Sequence, residues 1–282
     1  MKIQSPFLLF FLLLLSCGSC LNAETIKGNG KIVTREVNVN GFDKIILSVP
    51  ATINFIQGEN FSCSITIDEN LLDYYSFKVV GDGLFIRQLP TKDGKPLVSF
   101  NFGEKEVNLP FYKYPKLDFT KFVIDITAPR LEDVKVNGSG SFNIVSDFSD
   151  VKLDVDVVGS GSFVANRLLN INKLDIVVAG SGYVQLAQVE AQEAEATING
   201  SGDVSLNGVF SELDFEVAGS GNIKMTGNAV MAKAKIAGSG SIRMGEISQM
   251  LKYDIAGSGN IYYSGEAELK GFVAGSGSIQ KK

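Results

Sequence analysis

The chain of 282 residues contains no histidine and no tryptophan. Without imidazole there is no Ser-His-Asp triad, no histidine general base and no histidine ligand for zinc. Any catalysis would fall to carboxylates, lysine, arginine or tyrosine. Arginine is also sparse, at Arg35, Arg87, Arg130, Arg167 and Arg243, and the formal net charge is −5. Such a balance implies neither a nucleic-acid partner nor attraction to an anionic membrane surface. No cofactor is implied either.

Long apolar runs are missing beyond the first 23 residues, and cysteine occurs only three times. Met1-Lys2-Ile3 is a short basic start, Phe7 to Leu15 is an unbroken apolar run, and small or polar residues follow in SCGSCLNA. That run is too short for a membrane-spanning helix, which needs about 20 apolar residues. Residues 1–23 read as a secretory signal peptide and stand outside the fold. Two cleavage chemistries fit. Leu14-Leu15-Ser16-Cys17 resembles a lipobox, which would make Cys17 the lipidation site and leave Cys20 and Cys63 able to pair. Leu21-Asn22-Ala23 before Glu24 resembles an ordinary signal-peptidase site, which would leave Cys63 alone as a small buried residue.

Glycine, by contrast, is abundant, with 30 residues, and much of it is ordered in a repeat. Gly-Ser-Gly begins at Gly138, Gly159, Gly180, Gly200, Gly219, Gly238, Gly257 and Gly275, at spacings of 21, 21, 20, 19, 19, 19 and 18 residues. The flanks repeat with it. Two residues before each tripeptide stands Val or Ile (Val136, Val157, Val178, Ile198, Val217, Ile236, Ile255, Val273). Four residues after its first Gly stands Phe, Val or Ile (Phe142, Phe163, Val184, Val204, Ile223, Ile242, Ile261, Ile279). Apolar residues at even offsets and polar ones at odd offsets have the period of a half-buried strand. A second glycine in four repeats (Gly208, Gly227, Gly245, Gly265) marks another corner. Strand, corner, strand and return in 18 to 21 residues describe one coil of an all-β, single-stranded parallel solenoid, whose coils bury an inner face only when stacked.

The tripeptide is therefore expected at a tight corner, where glycine tolerates positive φ and close backbone approach. Ser139, Ser160, Ser181, Ser201, Ser220, Ser239, Ser258 and Ser276 then form a ladder of hydroxyls, structural in the first instance. Five residues before the first Gly another column reads Asp133, Asp154, Asp175, Glu195, Asp214, Lys233, Lys252, Lys270. Its odd offset turns it to solvent, where charge discourages aggregation. Asp154, Asp156 and Asp175 are the carboxylates a hydrolase or lyase would have to use.

Residues 24–130 are strand-like but irregular and are expected to cap the regular coils of 131–282. Val79 to Ile86 reads as two strands about a glycine turn. Residues 103–115 read as an inserted exposed loop, and its Tyr112 and Tyr114 are candidates to stack on sugar faces. The last repeat runs to Ile279 with no capping segment after it, so this end is expected to be guarded by Lys281 and Lys282 or to meet a partner or second copy.

The segments VNVNGFDKIILSVPATINFIQGE, DENLLDYYSFKVVGDGLFIR and LEDVKVNGSGSFNI resemble the bacterial envelope family of putative auto-transporter adhesins, head GIN domain, from about Lys31 to Ile279. The resemblance implies a right-handed parallel β-helix and secretion or lipoprotein anchoring in bacteria with two membranes, in the periplasm or at the outer-membrane surface. It supplies no catalytic residues to transfer. The expectation is a non-enzymatic module that binds an extracellular or envelope glycan or protein and meets the membrane only through a lipid anchor. The competing expectation is a polysaccharide lyase or hydrolase built on the same scaffold.

Overall fold

The computed structural model describes residues 25–90, 98–102, 105–109 and 114–282, with side chains omitted for 98–102 and 105–109. The signal-peptide segment with Cys17, and Tyr112, lie outside the described residues. The chain forms two units, one of residues 1–27 with 90–118 and a larger one of residues 28–89 with 119–282. In the smaller unit, Val98–Phe102 pairs antiparallel with Lys105–Leu109, and Thr25–Lys27 pairs parallel with Lys116–Asp118. The stretch 103–115 is thus not a loop throughout. Lys105–Leu109 within it is a strand, in keeping with the alternation Glu106-Val107-Asn108-Leu109. Residues 28–89 and 119–130 belong to the same unit as the repeats.

The larger unit is a solenoid of stacked parallel strands. Gly138, Gly159, Gly180, Gly200, Gly219, Gly238, Gly257 and Gly275 stand in register from coil to coil. Within Lys152–Gly159, Leu153, Val155 and Val157 are fully buried while Asp154 and Asp156 face outward. Each such buried aliphatic side chain contributes roughly 1.5–3 kcal/mol. In the early coils the inner column after the corner is aromatic, with Phe142 stacked on Phe163 at 5.5 Å between ring centres. In later coils it becomes Val184, Val204, Ile223, Ile242 and Ile261, all buried.

The corner explains its own sequence. At Gly200 φ is +133°, a conformation that side-chain-bearing residues rarely adopt, and a Cβ there would stand 2.5 Å from the Gly180 carbonyl oxygen. At Gly202 a Cβ would stand 2.5 Å from the Gly182 oxygen and 2.6 Å from Val178. Only the middle residue can carry a side chain.

The N-terminal segments extend the stack and then close it. Lys44–Ser48 lies parallel between Gly83–Gln88 and Asp133–Gly138. Thr52–Gln57 lies parallel between Phe122–Ala128 and Ser141–Ile144. Beyond them the pairing turns antiparallel, through Tyr75–Val80 on Gly83–Gln88 and Ser62–Asp68 on Phe122–Ala128, with Ile32–Glu36 outermost. The switch to hairpins is possible because antiparallel strands need no long crossover. Asp68, fully buried, fastens this end by accepting hydrogen bonds from Gly30 N (2.8 Å), Thr120 N (2.7 Å) and Thr120 Oγ1 (3.1 Å).

Candidate functional site

Three polar columns run along the solenoid, each repeating at the spacing of adjacent strands, about 4.8 Å. The first is the corner ladder of Ser139, Ser160, Ser181, Ser201, Ser220, Ser239, Ser258 and Ser276, all exposed. The inter-coil bonds here are made by the backbone, as in Ser201 N to Gly180 O at 2.9 Å and Ser220 N to Gly200 O at 2.9 Å. Among the described residues the eight hydroxyls make no side-chain hydrogen bonds. They are presented to solvent without binding one another.

The second column, on the strands before the corner, brings Lys44, Asp133, Asp154, Asp175, Glu195, Asp214, Lys233, Lys252 and Lys270 into register. The carboxylates are half-buried and largely ion-paired: Asp154 with Lys152 (2.6 Å), Asp156 of the neighbouring column with Lys135 (2.8 Å), Glu195 with Lys173 (3.3 Å). Burial raises Asp133 above the ordinary carboxylate range. Burial and then the charge of Glu195 raise Asp175. Burial opposes the charge on Glu195 as well, but the hydrogen bond from Lys173 and its charge outweigh that, and Glu195 is held low. Lys135 is raised, first by its hydrogen bond to Asp156. Each acid is thus matched to a lysine of its own or an adjacent coil. Among the described residues no group of three or more acidic or thiol side chains is placed to hold a metal ion.

The third column lies on the strands after the corner and escaped the sequence reading. Tyr183, Asp203, Asn222, Ser241, Asn260 and Ser278 are in register, and beside them run Gln185, Ser205, Lys224, Arg243, Tyr262 and Gln280. Their side chains are linked along the axis. Asn222 Nδ2 donates to Asp203 Oδ1 (2.9 Å), Ser241 Oγ to Asn222 Oδ1 (2.7 Å), and Arg243 to Ser241 Oγ (2.8 Å). One coil further, Ser278 Oγ donates to Asn260 Oδ1 (2.8 Å) and Gln280 Nε2 to Ser278 Oγ (3.0 Å). Tyr262 lies under two cations, with Arg243 at 5.1 Å and Lys282 at 4.5 Å from its ring centre. Amide, hydroxyl, guanidinium and phenol groups in an oriented row can donate to and accept from a ligand that repeats along the same axis. The signal was available at the third and fifth positions after each first glycine, where apolar neighbours at the even offsets drew attention away.

Tyr114, from the smaller unit, is 51% exposed. Cys63 is a buried free thiol, pushed up to about 12 by burial and the nearby charge of Asp125. Among the described residues no helix is long and apolar enough to cross a membrane.

Comparison with known proteins places this geometry. The family described as putative auto-transporter adhesin, head GIN domain, matches residues 41–267. Among solved structures, a putative lipid binding protein from Parabacteroides distasonis is 30% identical with a TM-score of 0.77, covering 92% of this chain and 100% of its own. A putative adhesin from Parabacteroides merdae is 26% identical with a TM-score of 0.78 over the same shares. Another putative adhesin from P. distasonis, 24% identical with a TM-score of 0.79, shares the fold, again over 92% of this chain and 100% of its own. Comparison with curated protein sequences gives no match.

Proposed function

We propose, from the premise that the chain belongs to the putative auto-transporter adhesin, head GIN domain family, that it is a non-enzymatic binding module of the bacterial cell envelope. Residues 1–23 would export it, and acylation at Cys17 would anchor it. The observation that carries the reading is the hydrogen-bonded row Asp203–Asn222–Ser241–Arg243, continued by Asn260–Ser278–Gln280 and bordered by Tyr183 and Tyr262. Such a row prepays the ordering of its side chains, and preorganisation favours an extended polar ligand, above all a glycan. The inward apolar side chains of the coils between residues 131 and 263 are buried against one another, and this polar face is the surface the reading rests on.

The test is a glycan and matrix-protein array probed with the purified full chain, alongside turnover assays on acidic polysaccharides. Retention without product release, lost together in Asn222→Ala and Tyr262→Ala, is expected. Release of unsaturated sugars would instead establish a lyase. For the anchor, Cys17→Ala should move the protein from membranes to the soluble fraction; a variant that still partitions with membranes rules out lipidation there.

A further inference from the structure

Charge is segregated along the solenoid. Residues 131–219 carry fourteen acidic and four basic side chains, whereas residues 220–282 carry four acidic and eight basic ones. In the column before the corner the sign changes between Asp214 and Lys233, which pair at 2.5 Å. Beyond that point the column before the corner has no acid of its own, although Lys235 of the neighbouring column still pairs with Glu216 at 4.0 Å. Lys270 reaches only Glu268 of its own strand, at 3.1 Å, and Lys252, between Lys233 and Lys270 in register, has no anionic partner among the described residues. Like charges on adjacent strands repel, and among the described residues no ion pair offsets this at Lys252.

These lysines border a built feature. With Lys235 they rim an open groove of about 320 Å³ whose wall includes Tyr253 and Gly271, and Asp254 is the acid on its edge. Gly271 lets its strand approach Tyr253 closely, since a Cβ there would overlap the Tyr253 carbonyl oxygen. In the next column Phe272 follows Lys235 and Asp254 in register and is 62% exposed, although it is a large apolar ring. A row of ammonium groups, of which Lys233, Lys235 and Lys270 are ion-paired and Lys252 is not, next to a bare aromatic face combines two chemistries: charge-assisted hydrogen bonding to an oxyanion and contact with an apolar ring face.

We infer that this groove is a subsite for an anionic saccharide, a sugar carrying carboxylate or sulfate groups. Lys233, Lys252 and Lys270 pair with its charges and Phe272 lies against its ring. The inference deepens the binding-module reading and rests on it, naming the ligand class at one end of the same solenoid.

The experiment titrates the full chain with an oligogalacturonate hexamer, its methyl ester and a heparin hexasaccharide, at low and high salt. At least one of the two anionic oligosaccharides should bind, more tightly than the uncharged ester, with affinity falling as salt screens the lysines. Lys252→Gln should weaken anionic binding about ten-fold and flatten the salt dependence, in line with loss of a charged hydrogen bond. Phe272→Ala should weaken the acid and the ester alike. Lys152→Gln, already paired with Asp154 in the acidic half, should change nothing. Equal affinity for acid and ester, an unaltered Lys252→Gln, or no binding of either anionic probe overturns the subsite. In those cases, Asn222-dependent hits on the array would leave the binding-module reading standing. Product release would instead overturn that reading while leaving the subsite measurable. Lys252-dependent binding to phosphatidylglycerol vesicles in place of the oligosaccharides would assign the groove to a membrane and likewise overturn the proposal.

Discussion

Replacing Gly200 by alanine separates the architectural from the chemical content of the Gly-Ser-Gly corner. The added methyl meets two penalties. It must adopt φ near +133°, a strain of about 1–3 kcal/mol for a residue with a side chain. It also stands 2.5 Å from the Gly180 oxygen, so the coils must part by several tenths of an ångström. That separation falls on the bond from Ser201 N to the same oxygen, now 2.9 Å long, whose loss contributes about 1 kcal/mol more. The expected destabilisation is about 2–4 kcal/mol, measured as a shift of the urea midpoint by circular dichroism. Ser201→Ala is the matched control. Its hydroxyl is exposed and makes no hydrogen bond among the described residues, so a change within about 0.5 kcal/mol is expected. A Gly200→Ala variant as stable as the wild type, or a Ser201→Ala variant as damaged as Gly200→Ala, would refute the account of the corner.

Two further predictions concern the capped end. Asp68→Ala removes three part-buried hydrogen bonds, from the Gly30 and Thr120 amides and the Thr120 hydroxyl, to a buried carboxylate, a loss of about 1–3 kcal/mol at pH 7. For Asp68 burial opposes ionisation but the donated hydrogen bonds prevail, and the carboxyl is held below its ordinary value. Its contribution is therefore complete above the unfolded value of about 3.9 and is lost as pH falls through the lower folded value. Urea melts at pH 7, 4 and 3 should show the wild-type advantage over Asp68→Ala shrinking only below about pH 4; a gap that widens on acidification would contradict this. Cys63, with its thiol pushed up to about 12, should resist iodoacetamide at pH 8 in the folded protein and react once urea is added, read by mass spectrometry of the peptide that contains it. Rapid labelling of the folded chain would place the thiol elsewhere.

The solenoid was legible because its grammar is local and repeated. Period-two alternation, glycine at fixed intervals and the Val or Ile two residues before each corner report one-dimensional stacking, in which every coil meets only its neighbours. The N-terminal segment was harder, because its strands join the stack out of chain order. Lys44–Ser48 lies between Gly83–Gln88 and Asp133–Gly138, a placement no local pattern encodes. The pairing of Val98–Phe102 with Lys105–Leu109 is weakly written, because polar residues and the nearby Pro110 outweigh its alternation. The polar row after the corner was written at odd offsets all along, but its value lies in side chains that bond across coils, such as Ser241 to Asn222.

The sequence by itself determined the repeat, the inward direction of the apolar columns at even offsets in the regular coils and the requirement for glycine on both sides of each corner serine, since these follow from strand periodicity and backbone sterics. Only the tertiary structure decided which charges are spent within the fold and which are left over. A net charge of −5 describes a mildly acidic chain. Stacking in register, however, gives each carboxylate of the column before the corner a lysine and leaves Lys252 without an acid among the described residues, because electrostatic pairing depends on separation in space and residues 18 to 21 apart in the chain become nearest neighbours only when the coils close.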